Sequence, residues 1–111
     1  MTNMTVNEYL KKTLAFESFG VLKVQRRRPF VVCRDGYSVS IQAGQCHYSI
    51  PQRDGASLYS AVELGYPSVA DSLIAEYAET PDNLTGTIYG RVPVELVDQL
   101  LEKHGGIEKW A

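Results

Sequence analysis

The stretch from Phe30 to Pro51, FVVCRDGYSVSIQAGQCHYSIP, constrains the fold more than any other part of the chain. It begins with an apolar run that leads into Asp35-Gly36, a pair typical of tight hairpin turns because glycine tolerates positive φ. From Tyr37 to Ala43 apolar and polar residues alternate, which places the two sets on opposite faces of a strand. We expect two or three antiparallel strands here. The third would run from Cys46 to Pro51, which ends it because proline has no amide donor.

Three helices are predicted outside this stretch. Thr5 and Glu8 have the spacing of a capping box, and the helix that they begin is expected from Val6 to about Phe16. Ser68 is a favourable N-cap for a second helix, which would end at Glu79. A third helix is expected from Pro93 to His104, where a pair of glycines stops it.

Further strands are predicted at 21–25, 58–64 and 87–92 from the alternation of apolar and polar residues. This order of elements is typical of the α+β class. We therefore predict a single α+β domain over residues 1–111, a length sufficient for one modest core. It would be an antiparallel sheet of about four to six strands, flanked by the N-terminal helix and two helices in the C-terminal half.

The charges are segregated along the chain. The formal net charge is only −2, but the segment from Lys11 to Arg34 holds seven basic residues and one acidic residue. The segment from Glu63 to Glu102 holds eight acidic residues and one basic residue. Such a distribution can steer anions to one side or pair subunits head to tail, and it equally suits two solvated faces of one domain.

Cysteine content and hydropathy bear on the compartment. Two cysteines without a signal peptide are typical of free thiols in a reducing environment. No apolar run approaches the roughly 20 residues of a membrane span. We therefore expect a cytoplasmic protein that does not engage a membrane.

The residues that carry metal or nucleophile chemistry show no favourable spacing. Zinc sites usually bring soft ligands in close pairs, whereas Cys46 and His47 are adjacent and would point to opposite faces of a strand. A positive neighbour such as Arg34 lowers a thiol pKa, but Cys33 ends an apolar run, as buried inert cysteines do. His104 also lies far in sequence from the other cysteine and histidine residues. We therefore expect no metal, no cofactor and no catalytic residue.

The arginine triplet at 26–28 is the sharpest charged feature. Three guanidinium groups in an extended segment can bind phosphate through forked hydrogen bonds. Seven tyrosines add amphipathic rings that stack on bases and also populate protein interfaces. Three interpretations stay open: a phosphate or nucleotide pocket, a surface for a protein partner or second copy, and a solvated turn. Extended nucleic-acid binding is disfavoured, because the domain is acidic overall and its basic region is short.

Three segments carry a resemblance to a known group of proteins. They are MTVNEYLKKTLAFES from Met4, VVCRDGYSVSIQAGQCHYSIP from Val31 and YGRVPVELVDQLLEKHGGI from Tyr89, and together they cover most of the chain. They resemble small proteins carried by phages, prophages and mobile elements of gut Firmicutes. The resemblance implies a bacterial host cytoplasm and an accessory gene that counters host defence. No catalytic residue carries over from it.

These observations lead to a functional hypothesis. We predict a non-enzymatic counter-defence protein that forms a homodimer or higher homo-oligomer and sequesters an anionic nucleotide-type signal, cyclic or ADP-ribose-like. Arginines would hold its phosphates and tyrosines would stack on its base. The candidate ligand-binding residues are Arg26, Arg27, Arg28, Arg34, Tyr37, His47, Tyr48, Arg53, Tyr66, Tyr89 and Arg91.

The alternative hypothesis is an anti-CRISPR-type inhibitor that binds a host defence protein through its acidic surface. The predicted helices at 68–79 and 94–104 carry acidic side chains that could imitate phosphate charge. They would then occupy a nucleic-acid channel of the target. This hypothesis predicts salt-sensitive binding to a large basic partner.

Overall fold

A computed structural model describes residues 3–111 and confirms the α+β class. The elements in chain order are α1 Val6–Lys12, β1 Phe16–Phe19, β2 Leu22–Gln25, β3 Val31–Cys33, β4 Ser38–Gln42, β5 Ala61–Gly65, β6 Ile88–Pro93, α2 Val94–Lys103 and β7 Ile107–Trp110. A short 3₁₀ turn lies at Ala75–Tyr77. Strands β3 to β7 form one five-stranded sheet, and β1 and β2 form a separate two-stranded hairpin. The predicted sheet of four to six antiparallel strands is confirmed.

The five-stranded sheet has the order β6-β5-β4-β3-β7, with every neighbouring pair antiparallel. Its centre is the predicted hairpin of β3 and β4, in which Val31 pairs with Val39. The turn forms at Asp35-Gly36 as expected. Gly36 has φ 94°, and the Asp35 carboxylate accepts the Tyr37 amide at 2.8 Å. The turn therefore fixes the register of β4 against β3, which places Val39 and Ile41 in the core.

The hydrophobic core lies between this sheet and the two helices. From α1 it takes Tyr9 and Leu10, and from α2 it takes Leu100 and Leu101, all at most 2 % exposed. The sheet contributes β-branched and aliphatic side chains, among them Val31, Val39, Ile41, Val62 and Leu64, each fully buried. The two helices also contact each other, so they cover one face of the sheet together.

The first helix begins as predicted but ends early. Its capping box is present, with the Glu8 amide donating to Thr5 and the Thr5 amide donating to Glu8. The predicted extension to Phe16 is wrong, because α1 ends at Lys12. The Arg26 amide donates to the Ala15 carbonyl at 2.8 Å, so this part of the chain enters a hairpin instead.

The predicted third strand at 46–50 is also wrong. Residues 43–50 form a loop, in which Ile50 alone bridges to Ala61. Side chains replace the ladder: the Gly44 amide donates to the Ser49 hydroxyl at 3.1 Å, and the Tyr48 amide donates to the Glu63 carboxylate at 3.0 Å. Strand pairing resumes at Ala61, three residues later than the prediction of 58.

The predicted helix from Ser68 to Glu79 does not form, so the C-terminal half has one α-helix rather than two. The Ser68 amide donates to the Ser38 carbonyl at 2.8 Å, and the Ser68 hydroxyl accepts the Ser38 amide at 3.0 Å. Ser68 thus pairs with the first residue of β4 instead of capping a helix. The helical structure in this segment is limited to the 3₁₀ turn at Ala75–Tyr77.

The predictions of the other elements hold, and two strands are unexpected. The strands at 21–25 and 87–92 appear as β2 and β6 with shifts of one residue, and the final helix appears as α2. Sequence analysis did not predict β1, which pairs with β2, or β7, which pairs with β3 after a turn through Gly105 and Gly106. Within residues 3–111, no helix has both the length and the hydropathy required to cross a membrane.

Candidate functional site

A cleft of about 590 Å³ lies where three parts of the fold meet. The end of α1 contributes Lys12, the extended segment 26–30 contributes the arginine triplet, and β7 contributes Trp110. β7 reaches this place because Val31 pairs with Trp110 and the ladder continues to Phe30, which exchanges backbone hydrogen bonds with Ala111. The volume lies within the range of small-molecule sites, roughly 300 to 1,000 Å³. We call this concavity the basic cleft.

The three arginines of the triplet have different environments. Arg26 and Arg27 are exposed and line the basic cleft, whereas Arg28 is 3 % exposed. Its guanidinium donates three hydrogen bonds of 3.0–3.1 Å, to the carbonyls of Leu10 and Ala43 and to the hydroxyl of Thr13. Arg28 therefore fastens α1 to the sheet. Two of the three predicted phosphate ligands are left with their side chains at the surface.

The backbone of the triplet is also fixed. Gln42 is 1 % exposed, and its side-chain oxygen accepts the Arg28 amide at 2.9 Å while its side-chain nitrogen donates to the Arg28 carbonyl at 2.8 Å. The side-chain amide of Gln42 thus acts as a strand partner for the segment that precedes β3. Because this segment is held extended, Arg27 projects from a rigid floor, which lowers the entropy lost on binding.

Two aromatic rings border the basic cleft, those of Phe30 and Trp110. Trp110 is 38 % exposed, and its ring meets the Tyr9 ring edge-on with centroids 5.4 Å apart. The Tyr9 hydroxyl donates to the Pro29 carbonyl at 2.6 Å, and burial raises the pKa of Tyr9 to about 12, which keeps this donor protonated. Trp110 is thus held at the rim by a fixed neighbour. Exposed indole surface beside guanidinium groups is suited to stacking on a nucleobase.

The lining of the basic cleft is positive. Lys12, Arg26 and Arg27 face it, and among residues 3–111 no acidic side chain lines it. Arg26 pairs with Glu17 at 2.8 Å, but these side chains are 60 % and 47 % exposed, so solvent screens the pair. Because this ion pair contributes little energy, the Arg26 side chain can turn from Glu17 toward a ligand. Three cations around one concavity attract anions and raise their local concentration.

A second group of predicted residues gathers around Glu63 instead of the basic cleft. Glu63 is 8 % exposed; one oxygen lies 3.2 Å from His47 Nδ1, and the other accepts the Tyr48 amide. Burial raises the pKa of Glu63, but the hydrogen bonds from His47 and Tyr48 lower it by more. The Arg91 guanidinium lies 5.2 Å from the centre of the Tyr48 ring. This cluster anchors the 43–50 loop to β5.

A third group, which we call the His104 clamp, joins the end of α2 to two loops. His104 Nδ1 lies 2.7 Å from the Asp35 carboxylate, and Nε2 lies 2.9 Å from the Asp71 carboxylate. The imidazole stacks on the ring of Tyr37, with centroids 3.9 Å apart. Burial lowers the pKa of His104, but the hydrogen bonds to Asp71 and Asp35 outweigh it and raise the pKa overall. Tyr37 is therefore a buried packing partner of this clamp and does not line the basic cleft.

The remaining predicted residues are dispersed. Arg34 donates to the Asn3 side chain and to the Gly105 carbonyl, which ties the β3–β4 turn to the loop before β7. Tyr89 is fully buried, and Tyr66 is 43 % exposed with φ 50°. Arg53 is exposed. None of these four lines the basic cleft.

Comparison with known proteins identifies no relative. The chain matches no family model, no curated protein and no solved structure. Function is therefore inferred from the cations, rings and fixed floor of the basic cleft.

The charged and aromatic residues of the basic cleft that were not among the predicted site residues are Lys12, Phe30 and Trp110. Each belongs to a different element. The Arg28 hydrogen bonds join α1 to the arginine segment, and the pairing of β7 with β3 brings Trp110 beside it. A sequence signal for Trp110 exists, since a pair of glycines followed by Ile107 and a tryptophan can begin a new strand. The edge to which such a strand adds cannot be read from its residues.

The two cysteines have contrasting environments. Cys33 is buried, and burial raises the pKa of its thiol to about 11, as expected of an inert cysteine at the end of an apolar run. Cys46 is exposed in the 43–50 loop. Across residues 3–111, His, Cys, Asp and Glu side chains form no group of three that could hold a metal ion.

Proposed function

We propose that this protein is a non-enzymatic binding protein that takes an anionic, nucleotide-type ligand into the basic cleft. The supporting observation is that Lys12, Arg26 and Arg27 share one cleft with the rings of Phe30 and Trp110. Guanidinium groups bind phosphate oxygens through two parallel hydrogen bonds, and an ammonium adds a mobile point charge. Base stacking on an aromatic side chain contributes about 1 to 3 kcal/mol per base.

The proposal assigns a role to each group. Arg26 and Arg27 bind the phosphates, Lys12 adds charge from the end of α1, and Trp110 stacks on the base. Arg28 acts through position, because it holds α1 and the arginine segment in place. The stacking role expected of the tyrosines passes to Trp110 in this proposal, since Tyr37 and Tyr89 are buried in the core.

The biological setting follows from the resemblance to proteins of phages and mobile elements. A protein that binds a nucleotide signal of the bacterial host without converting it lowers the free concentration of that signal. Cyclic dinucleotides, cyclic trinucleotides and ADP-ribose isomers each combine several phosphates with one or more bases. All of these offer both kinds of group that the basic cleft can bind.

A thermal-shift screen against these nucleotides and NAD tests the proposal. A ligand at a hundredfold excess over its dissociation constant stabilises the folded state by roughly 2.7 kcal/mol, a clear shift in melting temperature. The ligand should be recovered chemically intact after incubation. A screen in which no nucleotide raises the melting temperature at low or moderate salt would count against the proposal. Recovery of a converted product would replace binding by catalysis.

Matched arginine variants locate the site. We expect Arg26→Ala/Arg27→Ala to weaken nucleotide binding at least tenfold, about 1.4 kcal/mol, while the unliganded melting temperature changes little because both side chains are exposed. Arg53→Ala/Arg91→Ala removes the same charge from exposed sites outside the basic cleft. Equal losses in the two double variants would show that net charge alone governs binding.

The acidic-surface alternative has less structural support. One of its two predicted acidic helices, 68–79, does not form. The other is present as α2, with Glu95 and Glu102 exposed. Co-elution of the protein with a basic defence effector, together with a flat nucleotide screen, would favour this alternative.

A further inference from the structure

The β1–β2 hairpin has one face on which the large apolar side chains are exposed. Cross-strand pairs Glu17–Val24 and Phe19–Leu22 place these four side chains on the same face. Phe19 is 60 % exposed, Leu22 64 % and Val24 42 %. Val21, in the turn beside them, is completely exposed. We call this surface the hairpin face.

The opposite face of the hairpin is the one that contacts the body of the protein. The Gln25 side chain donates to the Ala43 carbonyl at 2.7 Å and accepts the Gly55 amide at 3.3 Å. The Phe16 ring lies against Gly55. The hairpin is therefore anchored at its base through one side, and the hairpin face points away from the core.

An uncovered hairpin of this kind has little intrinsic stability. A two-stranded ribbon is marginally stable at best in water, and it needs packing on one face to persist. Here Phe16 and Gln25 supply packing from the opposite face, while the apolar side chains of the hairpin face are exposed. Contiguous exposed apolar side chains on a small protein mark an interaction surface. We therefore expect the hairpin face to be covered in solution.

We propose that the hairpin face packs against the same face of a second copy of this chain, in a closed two-fold dimer. The face carries one acid, Glu17, and one base, Arg26, already 2.8 Å apart, so it is neutral and self-complementary. A two-fold axis through it can bring the acid of each copy to the base of the other while the apolar side chains interlock. An anionic lipid surface would meet the Glu17 carboxylate at the middle of this face, which is unfavourable. A partner of high charge would find no matching charge on it.

The hairpin face is continuous with the basic cleft. Ala15 and Arg26 are backbone partners at the base of the hairpin, and both line the cleft. The dimer would thus form beside the proposed ligand site, with Arg26 at the border of the two. The dimer does not depend on the ligand, because its apolar contacts are complete without one.

Light scattering coupled to gel filtration tests the dimer. We expect the wild-type mass to be near twice the 12.4 kDa of the chain. Phe19→Ser/Leu22→Ser should elute as a monomer. Leu58→Ser/Val69→Ser removes side chains of similar exposure, 67 % and 54 %, from outside the hairpin and should stay dimeric. Val24→Lys provides a second variant that keeps the turn residues and places two like charges across the axis.

The outcomes separate this proposal from the proposed function. A wild-type protein that is monomeric at all attainable concentrations overturns the dimer, as does a dimer that survives both hairpin variants. Binding of a monomeric wild type to vesicles of anionic lipid would assign the hairpin face to a membrane and also overturn it. Nucleotide binding is measured on the same variants. A monomeric variant that still binds nucleotide supports the dimer contact and leaves the basic cleft unaffected.

Discussion

Replacing Arg28 by methionine is expected to lower the free energy of unfolding by about 3 to 5 kcal/mol, the largest effect of any single arginine change in this chain. The side chain is buried and donates three hydrogen bonds. Hydrogen bonds from a charged donor contribute about 1.5 to 3 kcal/mol each. Methionine fills part of the volume but leaves the Leu10 carbonyl without the guanidinium donor, and it leaves the Ala43 carbonyl with the Gln25 side chain as its donor. Separation of α1 from the sheet follows from that loss.

Denaturant unfolding monitored by circular dichroism measures this effect. Arg27→Met is the matched control, since Arg27 is the neighbouring residue and is exposed. Substitutions at such surface positions usually change the free energy of unfolding by less than about 0.5 kcal/mol. If the two variants lose the same small amount of stability, Arg28 does not fasten α1 to the sheet.

Replacing His104 by alanine is expected to lower the free energy of unfolding by about 2 to 4 kcal/mol near pH 6. The imidazole side chain is 13 % exposed and bonds two carboxylates, of which that of Asp71 is buried and that of Asp35 is half exposed. The exposed partner contributes less because solvent screens it. The variant also removes the stacking contact with Tyr37.

The His104 clamp makes stability depend on pH in a defined direction. The folded-state pKa of His104 is raised, so its contribution is complete below the unfolded value of about 6.5 and is lost as pH rises through the folded value. The pKa of Asp35 is lowered, chiefly by the hydrogen bond from the Tyr37 amide. Burial raises the pKa of Asp71, and hydrogen bonds from Leu73, His104 and Lys103 lower it by more. Stability from these carboxylates is lost as pH falls below about 4.

The contribution of the His104 clamp to stability should therefore be greatest between about pH 4 and 6.5. Measured against pH, the decline above this window should be steeper in the wild type than in His104→Ala. Lys103→Ala is a useful control, because it removes another partner of Asp71 without removing the imidazole. Parallel profiles for wild type and His104→Ala above pH 6.5 would show that the imidazole carries no raised pKa.

Elements defined by local chemistry could be predicted from the sequence. The Asp35-Gly36 turn and the capping box of Thr5 and Glu8 each depend on contacts within four residues, and both form as expected. Residues 68–79 show the limit. They have helical periodicity, but Ser68 pairs with Ser38 across the sheet, and this tertiary contact overrides the local preference. The position of β7 could not be predicted either, because it depends on which edge of the folded sheet is free to pair, here the edge of β3.

The candidate site could be predicted only where it depends on neighbouring residues in the sequence. The triplet at 26–28 indicates a basic surface, but the burial of Arg28 depends on carbonyls of Leu10 and Ala43, which only the fold brings near. Tyr48 has a ring that could stack on a base, but its backbone amide donates to the Glu63 carboxylate. This contact holds Tyr48 in the 43–50 loop, outside the basic cleft. Trp110 reaches the basic cleft only because β7 pairs with β3.

Fluorescence of Trp110 tests the central claim most directly, because Trp110 is the single tryptophan of the chain and borders the basic cleft. Titration with a cyclic dinucleotide or with ADP-ribose should quench its emission in a saturable, salt-sensitive manner. Quenching should be lost in Arg26→Ala/Arg27→Ala and kept in Arg53→Ala/Arg91→Ala. A nucleotide that raises the melting temperature yet leaves Trp110 emission unchanged would contradict the account, since that ligand would bind away from the basic cleft.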